Sequence, residues 1–343
     1  MLFAFKKTSP QNTTWADMLA VWQAADDIDV YHSGWTFDHF YPIFSDSTGP
    51  CLEGWATLTA LAQATKRLRL GNLVTGIHYR HPAVLANMAA AVDIISDGRL
   101  ELGIGAGWNE EESGAYGIEL GSVKERLDRF EEACQVLIGL LSQETTTFDG
   151  TYYQLKDARN EPKGPQRPHP PICIGGSGEK RTLRIVAKYA QHWNFAGGTP
   201  EEFAHKRSVL ASHCADIGRD PAEIMHSAHV RLSEDHDYAK AIDEAAALAA
   251  EGARSGDLLS AAAAHSSCVG TACRSHPGFR ALDNSLITTG KAPPTSDSVA
   301  RNRSERVRRL LPGARAWPAT RGSSPGGGRR TRLYARPAIE ISG

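Results

Sequence analysis

The chain has 343 residues, of which 41% are hydrophobic and 22% charged, and its formal net charge is −1. This composition is typical of a globular protein, and no run approaches the roughly 20 apolar residues of a membrane helix, so we expect no membrane partner. The six cysteines fit no usual zinc or redox spacing. The chain starts with a strand-like run and two lysines instead of a secretory leader, which predicts a cytoplasmic location.

Hydrophobic periodicity predicts strands and helices that alternate from the start of the chain. The first four predicted pairs are strand 2–5 with helix 15–26, strand 30–37 with helix 54–65, strand 68–75 with helix 82–95, and strand 100–104 with helix 123–141. A predicted hairpin and a proline-rich crossing at residues 144–170 then interrupt the pattern as an insertion on the rim of the fold. The last three predicted pairs are strand 171–174 with helix 181–189, strand 192–195 with helix 201–217, and strand 224–232 with helix 238–250.

Such an alternation favours an α/β fold with a parallel sheet, and eight repeats would close a TIM (β/α)8 barrel. The eighth strand should begin near Ala253. Residues 254–257 and the Ala-rich run that follows show no buried-strand pattern. We therefore predict an incomplete barrel whose eighth strand is absent or lost to a frame shift.

The segment after Ala253 differs in composition from the rest of the chain. Residues 1–253 carry 23 basic and 34 acidic side chains, whereas residues 254–343 carry 15 and 5, nearly all of the basic ones arginine. This Arg/Ser/Ala/Gly/Pro-rich tail is interpreted as a frame-shifted, disordered segment beyond a barrel domain at residues 1–253. A genuine disordered extension and a nucleic-acid-binding arm are the alternatives, and we expect no nucleic-acid partner.

Asp38 and His39 follow the second predicted strand. The carboxyl ends of strands face the active site in α/β barrels, which makes this pair the candidate catalytic residues. A neutral imidazole at that place can take a proton while hydride leaves the same carbon. The alternative interpretation is a structural Asp-His pair that holds a loop.

Glycines end the fourth predicted strand, at Gly103, Gly105 and Gly107. Without side chains, they allow a flat ring or a phosphate to approach the backbone, although a tight turn would use the same residues. Asn109 adds a polar group at the mouth of the barrel. Glu110 and Glu111 add further polar groups there, although Glu111 and Glu112 are also consistent with a solvated helix start.

A second glycine segment, Gly175, Gly176, Ser177 and Gly178, joins the fifth predicted strand to a helix. Free backbone N–H groups and the positive end of the helix dipole would bind a phosphate there. The spacing of the strands and glycines therefore predicts a cofactor that carries phosphate. The alternative is a plain glycine turn.

His78 and His81 lie in a polar loop after the third predicted strand. No acidic residue or cysteine stands near them at zinc spacing, so we expect no metal site. Residues of this loop are interpreted as lining a substrate pocket.

At these segments the chain resembles the luciferase-like monooxygenase family, and within it the branch that uses the deazaflavin coenzyme F420. Four motifs carry the resemblance over residues 2–253: WTFDHF, VTGIHYRHPAVLA, GRLELGIGAGWNEEE and PPICIGGSGEKRTL. It implies a barrel of the bacterial luciferase type, an oxidoreductase that moves hydride to or from C5 of F420, and a small-molecule substrate. Family members often form homodimers, so a homodimer is expected.

The resemblance also implies roles for individual residues. His39 would be the acid/base and Asp38 would contact the cofactor. A non-prolyl cis peptide would lie near Asn72, Leu73 and Val74, against the back of the cofactor ring. Gly105, Ala106 and Gly107 would pass the ring, with Asn109 beside them, and Gly175, Gly176, Ser177 and Gly178 would cradle the phosphate.

Trp108 and Asn109 stand where sugar-phosphate-oxidising relatives carry a carboxylate, which leaves reduction of an activated C=C or C=N bond as open as alcohol oxidation. Two other functions remain as alternatives. One is an FMN-dependent monooxygenase of the same family. The other is an inactive, truncated barrel.

Overall fold

The computed structural model describes the backbone of residues 2–7, 11–43, 46–232, 238–253 and 255–260. All of them lie in the first of the two units into which the chain divides, Met1–Leu282. Most of the arginine-rich tail, residues 261–343, lies outside the described residues. The interpretations of that tail and of a domain boundary at Ala253 therefore stay predictions.

The described strands follow one another with helices between most of them. The strands are β1 (Leu2–Lys7), β2 (Tyr31–Thr36), β3 (Arg69–Asn72), β4 (Thr75–Gly76), β5 (Leu102–Gly105), β6 (Thr146–Asp149), β7 (Gln154–Ala158), β8 (Ile172–Gly175), β9 (His192–Phe195), β10 (Met225–Leu232) and β11 (Ser255–Ser260). The helices are α1 (Trp15–Asp26), α2 (Gly54–Ala64), α3 (Pro82–Ile95), α4 (Glu110–Ala115), α5 (Val123–Ser142), α6 (Thr182–Tyr189), α7 (Pro200–Asp216) and α8 (Tyr238–Ala250). In the part of the chain that is described, no helix has the length and apolar character needed to cross a membrane.

Local capping determines where several helices begin. The Thr14 side chain accepts a hydrogen bond from the backbone of Asp17 at the start of α1. Ser122 and Thr199 each form a reciprocal capping box at the start of α5 and α7. Such caps satisfy backbone donors that have no partner inside the helix.

Nine strands form one parallel sheet in the order β3-β2-β1-β11-β10-β9-β8-β5-β4. The two strands at the ends of this order, β3 and β4, are separated in the chain only by Leu73 and Val74. A parallel bridge also joins Leu70 of β3 to Leu100, just before β5. The α/β fold with a parallel sheet is thus as predicted, and the rim insertion forms the antiparallel pair of β6 and β7.

The prediction that no strand follows Ala253 is wrong for residues 255–260. Strand β11 pairs in parallel register with β1 on one side and with β10 on the other. Among residues 255–260 only Leu258 and Leu259 are apolar, so the hydrophobic pattern gave no sign of a strand that pairs through its backbone on both edges.

The main apolar core lies between the sheet and the helices and includes Trp22, Leu58, Leu137 and Trp193. A second, small cluster of Trp35, Leu73 and Cys173 lies apart from it.

A charged group is buried near the amino ends of the strands. Arg69 Nε lies 2.7 Å from Glu101 Oε1, and His192 Nδ1 lies 3.2 Å from Glu101 Oε2. His192 Nε2 contacts Ser227 Oγ at 2.7 Å. We call Arg69, Glu101, His192 and Ser227 the buried charge cluster.

Candidate active site

A cavity of about 470 Å³ opens where several strands of the parallel sheet end. Among the predicted site residues, those that line it are His39, Leu73, Val74, Gly105, Ala106, Gly107, Gly175 and Gly176. Those that do not line it are Asp38, Asn72, Asn109, Ser177 and Gly178. Segments far apart in sequence therefore meet at one cavity, because the carboxyl ends of parallel strands lie at the same edge of the sheet.

Val74 is wedged between two of the predicted glycines. A Cβ at Gly105 would lie 2.7 Å from Val74 Cγ2, and one at Gly175 would lie 3.1 Å from Val74 Cγ1. The peptide between Leu73 and Val74 is cis, so the cis peptide implied by the resemblance is confirmed. The glycines thus make room for Val74 itself, in addition to any ligand that the sequence argument assigned to them.

His39 lines the cavity beside two aromatic rings. Its ring centre lies 5.2 Å from that of Phe37 and 5.6 Å from that of Trp108, both in edge-on geometry. Its Nδ1 lies 2.7 Å from Glu112 Oε2. The imidazole is therefore held on three sides, with the exposed Trp108 at the cavity mouth.

Glu112 is not among the predicted site residues, because its sequence position indicated only a solvated helix start. The Glu112 side chain is fully buried, whereas Glu110 and Glu111 are exposed. It accepts bonds from Phe40 N at 2.6 Å and from the Tyr79 hydroxyl, besides contacting His39. The available signal was the pattern of a cap residue, Asn109, three positions before a glutamate, which places that glutamate in the first turn of a helix.

Asp38 is buried and pairs with an arginine instead of facing the cavity. Its two carboxylate oxygens accept from Arg80 Nη1 at 2.5 Å and Nη2 at 3.0 Å. Burial raises the pKa of Asp38, and the bonds from Arg80 offset only part of that effect. The Asp38–Arg80 pair thus links the loop after β2 to the loop after β4. The cofactor contact assigned to Asp38 stays a prediction.

Two predicted asparagines are buried in other roles. Asn109 caps α4, because its side chain accepts from Glu112 N at 3.1 Å. Asn72 accepts from the Thr36 hydroxyl, while its Nδ2 is buried without a partner in the described part of the chain. Such an unpaired amide next to Leu73 and Val74 is an available donor for a group bound there.

The second glycine segment leads into α6 with unused backbone donors. Gly176 has a φ of +123°, a conformation that favours glycine. Within the described residues, the N–H groups of Ser177, Gly178, Glu179 and Lys180 donate to no other group. This is the arrangement expected of an anion site at a helix start.

Two arginines near the second glycine segment differ in whether they are free to pair with a bound anion. Arg181 is committed to α5, since its Nη2 lies 2.6 Å from Asp128 Oδ1. Arg126 lines the cavity and has no ion pair with another described residue. Arg126 is thus the better placed of the two to meet an anionic group.

His78 lines the cavity as a neutral group, since burial lowers its pKa to about 4. Its Nε2 lies 3.2 Å from Ser113 Oγ. His81 instead caps α3 by accepting from Ala83 N. Among the described residues no group of three or more His, Cys, Asp and Glu side chains could hold a metal ion. The absence of a metal site in this loop stays a prediction.

Comparison with known proteins identifies similar chains. Residues 1–283 match the family model of the luciferase-like monooxygenases. The chain is 30% identical over 218 residues to an F420-dependent glucose-6-phosphate dehydrogenase of Amycolatopsis mediterranei, in an alignment that covers 62% of this chain and 63% of that enzyme. It is 32% identical over 264 residues to the pyrimidine monooxygenase RutA of Methylobacterium radiotolerans, covering 69% and 67% of the two chains.

Solved structures show the same fold. An F420-dependent secondary alcohol dehydrogenase in complex with an F420–acetone adduct superposes with a TM-score of 0.66 at 20% identity. The match covers 76% of this chain and 93% of that one. The chain thus shares its fold with this enzyme, while it spans less than two thirds of the length of the Amycolatopsis relative.

Proposed function

The chain belongs to the luciferase-like monooxygenase family, and from this premise we propose that it is an oxidoreductase that moves hydride between C5 of coenzyme F420 and a small organic substrate. The observation that carries the proposal is the position of His39. A base backed by a carboxylate lines the same cavity as Val74 and the glycine cradle. A dehydrogenase needs such a base next to the carbon that gives or receives hydride.

The lining of the cavity supports the proposal of a flat cofactor with an anionic tail. Val74 projects between Gly105 and Gly175 and would support the back of the ring. The donors of residues 177–180, together with Arg126, would hold the phosphate. When bound, F420 supplies a carbon centre that accepts or releases hydride.

The residues of this chain would supply the rest of the chemistry. His39 would take the proton of a substrate hydroxyl, or return it in the opposite direction. Phe37 and Trp108 would exclude water from the reacting carbon. Trp108 and Asn109 bring no carboxylate into the cavity, so the class of substrate bond that is oxidised or reduced stays open.

The finer architecture belongs to the same proposal. We propose that β3 and β4 together count as one strand of a barrel. The parallel sheet would then close into a (β/α)8 barrel through the pairing of β4 with β5 and the bridge between Leu70 and Leu100. A homodimer and a cytoplasmic location stay predictions.

An FMN-dependent monooxygenase is the second candidate, favoured by the similarity to a pyrimidine monooxygenase. Titrating the protein with F420 and with FMN separately, while following cofactor fluorescence, distinguishes the two. We expect tight binding of F420 and weak binding of FMN. Tight FMN binding with flavin-dependent oxygen consumption would contradict the F420 assignment, and binding of neither would support an inactive barrel.

The same titration tests the phosphate cradle through the variant Gly176→Ala. Alanine is strained at a φ of +123°, and its Cβ would lie 3.2 Å from Thr182 Cγ2, so the loop must shift and F420 affinity should fall by about tenfold or more. The control is Gly218→Ala, where φ is +69° and nothing lies within 4 Å of the added Cβ. Equal affinity of both variants for F420 would count against a phosphate at this loop.

A further inference from the structure

The buried carboxylate of Glu112 lies directly behind the cavity-lining imidazole of His39. We propose that Glu112 is a positioning residue, which holds His39 as the Nδ1–H tautomer and turns its Nε2 lone pair toward the substrate. The tautomer follows from the contacts in the protein alone. The use of Nε2 on a substrate rests on the proposed function.

The hydrogen bonds to the Glu112 carboxylate determine its charge. Burial raises the pKa of Glu112, but the bonds from His39, Tyr79 and the backbone of Phe40 lower it below its ordinary value. Burial also raises the pKa of Tyr79, which therefore stays a phenol that donates its proton. Glu112 is thus ionised at neutral pH, and an ionised carboxylate can only accept hydrogen bonds.

The contact with Glu112 determines which nitrogen of the His39 ring carries hydrogen. Since Glu112 Oε2 accepts at 2.7 Å, Nδ1 must be the nitrogen that carries hydrogen. Nε2 of the neutral ring then has a free lone pair, and within the described chain it has no hydrogen-bond partner. The Phe37 and Trp108 rings limit rotation of the imidazole away from this orientation.

The free lone pair on Nε2 of His39 allows it to take a proton from the substrate. In the oxidising direction, the substrate O–H bond breaks and its proton binds Nε2. The C–H electron pair leaves as hydride for the oxidised deazaflavin, and the O–H pair forms the carbonyl. The imidazolium that results lies 2.7 Å from the Glu112 carboxylate, which stabilises its charge.

The position of Glu112 is itself fixed by the fold. Asn109 caps α4 and accepts from the backbone of Glu112, so the first turn of the helix is anchored. Glu110 lies in the same turn but is exposed. Glu110→Gln is therefore a matched control, because it removes the same charge from the same turn without touching His39.

The test is long-range ¹H–¹⁵N spectroscopy of protein labelled at histidine, with a His39→Gln variant to assign the signal. We expect the Nδ1–H tautomer in the wild type and in Glu110→Gln, and a mixture of tautomers in Glu112→Gln. Glu112→Asp, which keeps the charge, should restore much of the wild-type signal. An Nε2–H tautomer in the wild type would overturn the proposal, even if no variant folds.

Kinetics provide the second readout. With F420 bound, kcat of Glu112→Gln should fall by about 100-fold with little change in the KM for substrate, while Glu110→Gln stays near wild type. An unchanged kcat in Glu112→Gln would also overturn the proposal. The spectra need no cofactor, so an enzyme that shows the expected tautomer but no hydride transfer would refute the proposed function and leave the positioning role standing.

Discussion

At the scale of single residues, the cavity depends on a side chain without reactive groups. Val74 fills the space between two strands that carry glycine at the facing positions, and a side chain at either glycine would push it away. Val74 and the glycines therefore form one packing unit. A residue in this unit affects catalysis through shape alone.

We expect Gly105→Ala to disturb this unit. The added Cβ would lie 2.7 Å from Val74 Cγ2, closer than real Cβ contacts allow, so Val74 must move into the space proposed for the cofactor ring. F420 affinity, measured by fluorescence titration, should fall by about tenfold or more, and the melting temperature should fall as well.

The control for that prediction is Gly114→Ala in α4, where nothing lies within 4 Å of the added Cβ. This variant should bind F420 like the wild type and gain about 0.5–1 kcal/mol of stability, because alanine favours the helix. Wild-type affinity in Gly105→Ala would show that Val74 does not support the ring.

The sequence allowed the convergence of several residues that follow strand ends to be predicted, whereas it gave no sign of side-chain partners that are distant in the chain. His39 and the glycines follow predicted strands, so their convergence could be expected. Glu112 meets His39 across 73 positions of sequence, and Arg80 meets Asp38 across 42. Periodicity reports which face of an element is apolar, and it contains no information on such pairs.

At the scale of elements, local signals determine helix bounds more firmly than strand bounds. The predicted and observed bounds agree for α1, α3 and α8, where caps, a first-turn proline or periodicity are strong. The predicted strand 68–75 is interrupted at Leu73 and Val74, and the hydrophobic pattern alone gave no sign of that break. Helix α4 was not predicted as an element, although a helix start was considered at Glu111 and Glu112, because its six residues show no apolar periodicity.

The capping box of α5 provides a prediction at this scale. Ser122→Ala removes the acceptor for the backbone of Glu125, so the free energy of unfolding should fall by about 1 kcal/mol. Urea denaturation measures the change. Ser212→Ala, an exposed position inside α7, is the control and should change stability by less than about 0.5 kcal/mol; equal effects of the two would mean that the cap contributes little.

At the scale of the whole molecule, the buried charge cluster joins strands from distant parts of the sheet. Burial raises the pKa of Glu101, but His192 and Arg69 lower it to about 2. Burial lowers the pKa of His192, but Cys173 and Glu101 raise it well above 6.5. The contribution of Glu101 to stability is therefore present above pH 4.5 and lost as pH falls toward 2, and that of His192 is present below pH 6.5 and lost as pH rises through its raised pKa.

We expect Glu101→Gln to lower the free energy of unfolding at neutral pH by about 3–5 kcal/mol, because it leaves the buried His192 and the partly buried Arg69 without their counter-charge. Its loss of stability between pH 4.5 and 2 should be smaller than that of the wild type. Urea unfolding over this pH range measures both effects. Glu223→Gln, which breaks an exposed pair with Arg219, should cost less than about 1 kcal/mol, and a similar cost for Glu101→Gln would contradict the role of the cluster.

Strand β11 has a consequence for how the protein is made. β1 leaves the ribosome long before one of its two neighbours, β11, which begins only at Ser255. At synthesis rates of about 5–20 residues per second, one edge of β1 waits on the order of 10–50 s for its partner. During that interval the nascent chain carries an open β-edge, which invites pairing with other chains, so the yield of folded protein should depend on holdase chaperones and on translation speed.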